Sequence, residues 1–143
     1  MKRILFLDFD GVLHSEQDAP LARLPLLEQY LHAMPELALV ISSTWREAYP
    51  FERLQGIFSA ALRERVIGVT PVLNTRFQNG GRQREVEAFL LERGWQASEV
   101  AWVALDDMLS FFDQDCPHLI HVNSRHGFGE AEGRRLLAWY QGV

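Results

Sequence analysis

Three clusters of oxygen-bearing side chains punctuate the chain, and each directly follows a run of apolar residues. Asp8 and Asp10 follow Ile4-Leu5-Phe6-Leu7; Ser42, Ser43 and Thr44 follow Leu37–Ile41; Asp106 and Asp107 follow Val100–Leu105. A continuous apolar run suits a strand covered on both faces, as in a parallel sheet. In open parallel sheets, ligands bind outside the carboxyl ends of the strands. Runs lying side by side would bring the three clusters onto one rim. Carboxylates crowded there repel one another unless protons or a cation offset them. Their hard oxygen donors suit Mg²⁺, which keeps some waters and shares a phosphate oxygen with the protein. Asp8, Asp10, Asp106 and Asp107 are the candidate ligands. No His or Cys cluster of zinc spacing competes, and His118 and His121 are read as non-ligands.

Two aspartates two residues apart at a strand end can divide labour. Asp8 would attack phosphorus as a carboxylate nucleophile and form an acyl phosphate. Asp10, turned differently as the chain leaves the strand, would protonate the leaving oxygen and then activate water. Gly11 lets the backbone turn sharply and approach the phosphate.

The elements that must position these groups follow from periodicity. Two further short runs, Arg65–Val69 and Leu119–Val122, read as weaker strands. Between the runs, Leu24, Leu27, Leu31 and Met34 recur at helical spacing, with Pro25 suited to a first turn. Phe51, Leu54 and Phe58 form a shorter stripe. Val86, Phe89, Leu90 and Arg93 form another, stopped at Gly94, and Leu136, Leu137 and Tyr140 form the last. Strands alternating with helices predict βαβ units: an α/β, three-layer, Rossmann-like fold around a central, mostly parallel five-stranded sheet. Residues 1–143 read as one domain, with loops at Thr70–Arg82 and Gln17–Leu21 and no internal repeat.

Charge and cysteine content narrow the partners. Nineteen acidic against fourteen basic residues leave a formal charge of −5. That balance does not support broad nucleic-acid affinity, because binders displace counterions with a basic surplus. The single cysteine, Cys116, excludes an intrachain disulfide and fits a reducing compartment. The apolar run after Met1-Lys2-Arg3 is cut at Asp8, too short for a signal peptide, and no run is long enough to span a membrane. A cytoplasmic protein is expected.

Asp8-Phe9-Asp10-Gly11-Val12-Leu13 after an apolar strand resembles the first motif of the haloacid dehalogenase (HAD) superfamily of phosphatases. Further counterparts follow in the family's order. Its strand-end hydroxyl is similar to Ser43, with Ser42 as the alternative register, and its acidic fourth motif to Asp106-Asp107. The cation of its third motif, which steadies the phosphoryl group, corresponds to Arg82, with Arg84 as the alternative. Arginine in place of the usual lysine still supplies fixed positive charge and a two-pronged donor set. Ser43-Thr44-Trp45-Arg46, Arg82 with Glu85-Val86, and Gly127-Phe128-Gly129 also resemble the compact HAD domains grouped with Swiss Army Knife RNA-repair proteins.

The resemblance implies a Mg²⁺-dependent phosphoric monoester hydrolase. Phosphate would be held by Arg82, by Ser42, Ser43 and Thr44, and by backbone amides around Phe9–Val12, including those of Phe9 and Gly11. The family's acidic pair is often spaced by four or five residues; here it is adjacent, so either Asp106 or Asp107 would hold the metal, with Asp106 first off the strand. The gaps after Gly11 and before Arg82 are too short for a folded cap, which implies an open site for bulky substrates. Trp45 and Arg46 would face substrate or pack, and Arg125 and His126 are candidate substrate contacts. Two other readings stand beside hydrolysis of an unidentified monoester. One is a receiver-like module that binds Mg²⁺ and phosphate without turnover; the other is an accessory domain or end phosphatase acting on nucleic acid.

Overall fold

Strands β1 (Lys2–Leu7), β2 (Leu37–Ile41), β3 (Val66–Val69), β4 (Val100–Asp106) and β5 (Leu119–His121) form a single sheet in the computed structural model, which describes residues Met1–Val143. Their spatial order is β3-β2-β1-β4-β5 and every neighbouring pair is parallel, so the predicted sheet is present and wholly parallel. Helices α1 (Leu24–His32), α2 (Trp45–Ala48), α3 (Phe51–Gln55), α4 (Gly81–Glu92) and α5 (Glu130–Gly142) lie in or after the connections.

Successive strand residues point to opposite faces, and here both faces are covered. Leu5, Leu7, Leu39, Ile41, Val103 and Leu105 pack with Leu24, Leu27 and Leu31 of α1, Leu54 of α3 and Leu136 of α5. Ile4, Phe6, Val40, Trp102 and Ala104 pack with Val86 and Phe89 of α4. Phe6 meets Phe89 and Trp102 edge-on, at 5.7 and 5.6 Å between ring centroids. Each fully buried side chain of this kind stabilises the fold by about 1.5–3 kcal/mol, which explains why the central strands are apolar over Ile4–Leu7, Leu37–Ile41 and Val100–Leu105.

The elements depart from the periodic reading at several points, of which β3, α3 and α2 show the clearest reasons. Arg65 does not open β3 but ends a 3₁₀ turn, Arg63–Arg65. Its guanidinium donates to the carbonyls of Leu31, Met34 and Leu37, joining the end of α1 to the start of β2. Phe58 lies beyond α3 yet is fully buried, because the chain keeps its apolar face inward through the turn. The four-residue α2 is too short to show a period in the sequence.

Register settles where the site forms. Leu7 lies opposite both Ile41 and Leu105, and Val69 lies opposite Ile41. The next residues, Asp8, Ser42, Thr70 and Asp106, therefore come level along one rim. The Asp8 N–H still donates to the Leu105 carbonyl, that of Ser42 to Leu7 and that of Thr70 to Ile41, all at 3.0–3.1 Å. Residues 8–23 form turns and residues 70–80 form neither helix nor strand. No cap stands over the rim. No helix is long and apolar enough to cross a membrane.

Candidate active site

Asp8 is the first residue beyond β1 and is buried. Asp106, the last of β4, is completely buried, and Asp107 is half-buried beside it. Carboxylate oxygens of these three residues all lie within 4.8 Å of one another. Arg82, in the first turn of α4 and itself buried, reaches into the group: its Nη1 lies 2.9 Å from Asp106 Oδ2 and 3.4 Å from Asp8 Oδ2. The second Asp106 oxygen accepts the Met108 N–H at 2.8 Å. Arg82 is thus the cation at the centre, while Arg84 turns outward to Glu87 and Asp113.

Backbone geometry sets these positions. Gly11 has φ +79°, and a Cβ there would run into the Asp107 carboxylate. Gly80 takes φ +73° just before α4, and Gly81 is pressed against the carbonyls of Thr75 and Arg76, so the helix starts where Arg82 points at the trio. Phe111 covers the Arg82 guanidinium, 5.0 Å from its ring centroid.

Burial pushes the Asp8 carboxyl well above the usual carboxylate range, and Asp106 adds to this; Arg82 opposes both. Asp106 is also raised by burial, against the pull of Arg82. Three ionised carboxylates beside one guanidinium leave two uncompensated negative charges in a small buried volume. A divalent cation would cancel that surplus, and a donor set made only of oxygen is the kind that Mg²⁺ takes. The residues present fit the metal. Both members of the adjacent acidic pair belong to the trio, with different partners: Asp106 faces Arg82, and Asp107 lies over Gly11.

Asp10 stands apart. Its side chain is 61% exposed and lies outside the carboxylate trio. Oδ1 lies 3.0 Å from His14 Nε2, and the Trp45 indole N–H donates to both oxygens at 3.1–3.2 Å. Asp10 and His14 line a cleft of about 610 Å³ with Ser15, Glu16 and Asp18, and Asp107 is on its wall. His14 was not among the residues singled out from sequence, although its place four residues after Asp10 was a signal.

The Phe9 ring is fully buried against Trp45 and Phe58, so only its backbone is available to a phosphate. The amides of Val12 and Leu13 close a turn onto the Phe9 carbonyl, whereas those of Phe9, Asp10 and Gly11 make no hydrogen bond within the protein. Those of Ser43 and Thr44 are free as well. Ser42 and Ser43 are both buried, and Ser43 Oγ accepts the Trp45 N–H at 3.2 Å. Arg46 does not face outward. Its guanidinium donates to the carbonyls of Ser42, Ser43, Thr70 and Pro71 and pairs with buried Glu85 at 2.6 Å.

The remaining candidates are dispersed. Ser124 Oγ donates to Glu16, which ties the loop carrying exposed Arg125 and His126 to the cleft edge. His118 stacks on Trp102, and His121 donates to the Asp107 carbonyl.

No curated protein matches the chain. A family model described as the HAD domain in Swiss Army Knife RNA repair proteins matches residues 4–132. That span holds both strand-end aspartate pairs, the buried serines and Arg82. With its five-stranded parallel sheet and its acidic rim, the chain belongs to this family of HAD domains.

Proposed function

We propose that the protein hydrolyses a phosphate monoester through an aspartyl-phosphate on Asp8. The observation that carries this reading is the pairing of a buried, Arg82-bound Asp8 with an exposed Asp10 two residues on. Asp8 has a cation at hand and sits at the base of the rim, as a nucleophile requires. Asp10 lies in the solvent-accessible cleft, where protons are exchanged.

In the first half-reaction an Asp8 oxygen bonds to phosphorus while the ester P–O bond breaks, and protonated Asp10 gives its proton to the departing oxygen. In the second, Asp10 takes a proton from water, the water oxygen attacks phosphorus, and phosphate leaves as the bond to Asp8 breaks. Arg82 holds positive charge beside Asp8 throughout. The free amides of Phe9, Asp10, Gly11, Ser43 and Thr44 are the donors available to the phosphoryl oxygens. Mg²⁺, held by Asp8, Asp106 and Asp107, would supply the positive charge that offsets the transferring group.

The open rim admits a bulky ester, and the family's setting in RNA repair makes a phosphorylated RNA end one class to test. The cleft wall of Asp10, Glu16, Asp18 and Asp107 disfavours a polyanion, which makes small phosphorylated metabolites the other.

The test is hydrolysis of an aryl phosphate with and without Mg²⁺. Wild type is expected to be active with the metal, Asp8→Asn inactive, and Asp10→Asn lowered by about 100-fold or more. Undiminished turnover by Asp8→Asn would remove Asp8 as nucleophile.

A further inference from the structure

General acid catalysis needs its proton in one place, and an exposed aspartate on a loop is free to change rotamer. Two ring N–H groups converge on Asp10, and both rings are held by the body of the protein. The Leu21 N–H donates to His14 Nδ1 at 3.1 Å. A ring nitrogen that accepts a hydrogen bond carries no proton, so the neutral imidazole keeps its proton on Nε2. That nitrogen faces Asp10 Oδ1 and donates to it. Leu21 makes this bond from a left-handed backbone, φ 63°, which a leucine adopts only under constraint.

Trp45 is fixed from the other side. Its ring packs edge-on against buried Phe9 at 5.2 Å and lies 5.7 Å from Tyr49. Indole nitrogen can only donate, and its acceptor here is the Asp10 carboxylate. Oδ1 receives both rings and Oδ2 the indole alone.

We infer that His14 and Trp45 are positioning residues that lock the Asp10 carboxylate in the cleft with Oδ2 turned to the substrate's leaving oxygen. This rests on the phosphatase reading. As the ester bond breaks, the proton on Oδ2 passes to the leaving oxygen, and the two N–H donors receive the charge that develops on Asp10.

The test separates esters by their need for a proton. The leaving group of an alkyl phosphate must be protonated, whereas dinitrophenolate leaves without help. The constant kcat/KM reports the steps up to formation of the acyl phosphate. Trp45→Phe keeps the ring and removes the N–H; His14→Leu removes the second donor, and His14→Gln replaces it. Trp45→Phe and His14→Leu are expected to lower kcat/KM for the alkyl ester by about 10- to 100-fold, but for dinitrophenyl phosphate by less than about 3-fold. His14→Gln should recover most of the loss. Equal losses on the two esters, as a general disturbance of the site would give, overturn the inference, and so does no loss on either.

The metal-free protein distinguishes this failure from failure of the phosphatase reading. A long-range proton–nitrogen correlation spectrum should show the His14 proton on Nε2, and the Trp45 indole resonance should move in Asp10→Ala. A proton on Nδ1 overturns the positioning role and leaves the phosphatase reading intact. Wild type inactive on both esters with Mg²⁺ ends that reading and this inference together.

Discussion

Gly11 shows how tightly single residues are constrained here. Its φ of +79° is costly for a side chain, and the space where a Cβ would sit is taken by the Asp107 carboxylate. Gly11→Ala should therefore destabilise the protein by about 1–3 kcal/mol and displace Asp107 from the trio. Chemical denaturation measures the first effect, and weaker Mg²⁺ binding by calorimetry the second. An unchanged stability would mean that the loop relaxes freely. The placement of Arg82 is equally specific, since one Nη1 approaches both Asp8 and Asp106 while the ring of Phe111 covers the guanidinium.

Between elements, the Arg46–Glu85 pair acts as a strut. Arg46 sits on α2 and binds carbonyls at the ends of β2 and β3; Glu85 sits on α4, one turn from Arg82. Both side chains are only 1% exposed. Burial pulls the Arg46 proton affinity below its ordinary value, and the Glu85 carboxylate opposes that pull. Glu85→Gln should cost about 3–5 kcal/mol, because it leaves a buried guanidinium unpaired. A cost below about 1 kcal/mol in urea unfolding would show that water takes over the charge.

The loop after β1 has its own tie, in which Asp18 accepts from the Ser15 N–H and from Arg23 Nε. Bonds to Arg23 and Ser15 hold the Asp18 carboxyl at about 2, below its ordinary value of 3.8. A group depressed on folding contributes stability above its unfolded value and loses it as pH falls towards the folded one. Wild type should accordingly melt above Asp18→Asn at pH values over about 4, with the two converging as pH falls to about 2. A constant difference across that range would contradict the assignment.

For the whole molecule, the strands are also a scaffold for charge. Folding brings Asp8 from the start of the chain against the adjacent pair Asp106 and Asp107, so its repulsion with them arises in the folded state. Mg²⁺ bound at the trio would relieve it and add stability by mass action, about 2.7 kcal/mol at a hundred times Kd. The melting temperature should rise with Mg²⁺, return on adding a chelator, and respond far less in Asp107→Asn. An equal rise with sodium chloride at matched ionic strength would reduce the effect to screening. The formal charge of −5 works against phosphate entry, which gives the local cations further importance.

The sequence alone determined the layers and the rim. The inner part of a strand buried on both faces must be apolar, so its end is marked by the first carboxylate or hydroxyl, and Asp8, Ser42 and Asp106 were legible for that reason. Gly11 and the alternating helices were legible too, because backbone freedom and apolar period are local properties. Side-chain direction was decided only by tertiary structure. Arg46 and Arg84 are both polar residues near a motif, yet one is buried under carbonyls and the other faces solvent. The same holds for Asp10, which lies outside the carboxylate trio and accepts the Trp45 indole N–H from α2, and for His14, whose partners are Asp10 and a strained leucine seven residues on. Hydrogen bonds between distant segments depend on register and packing, and the pattern of residues along one strand or helix does not encode them.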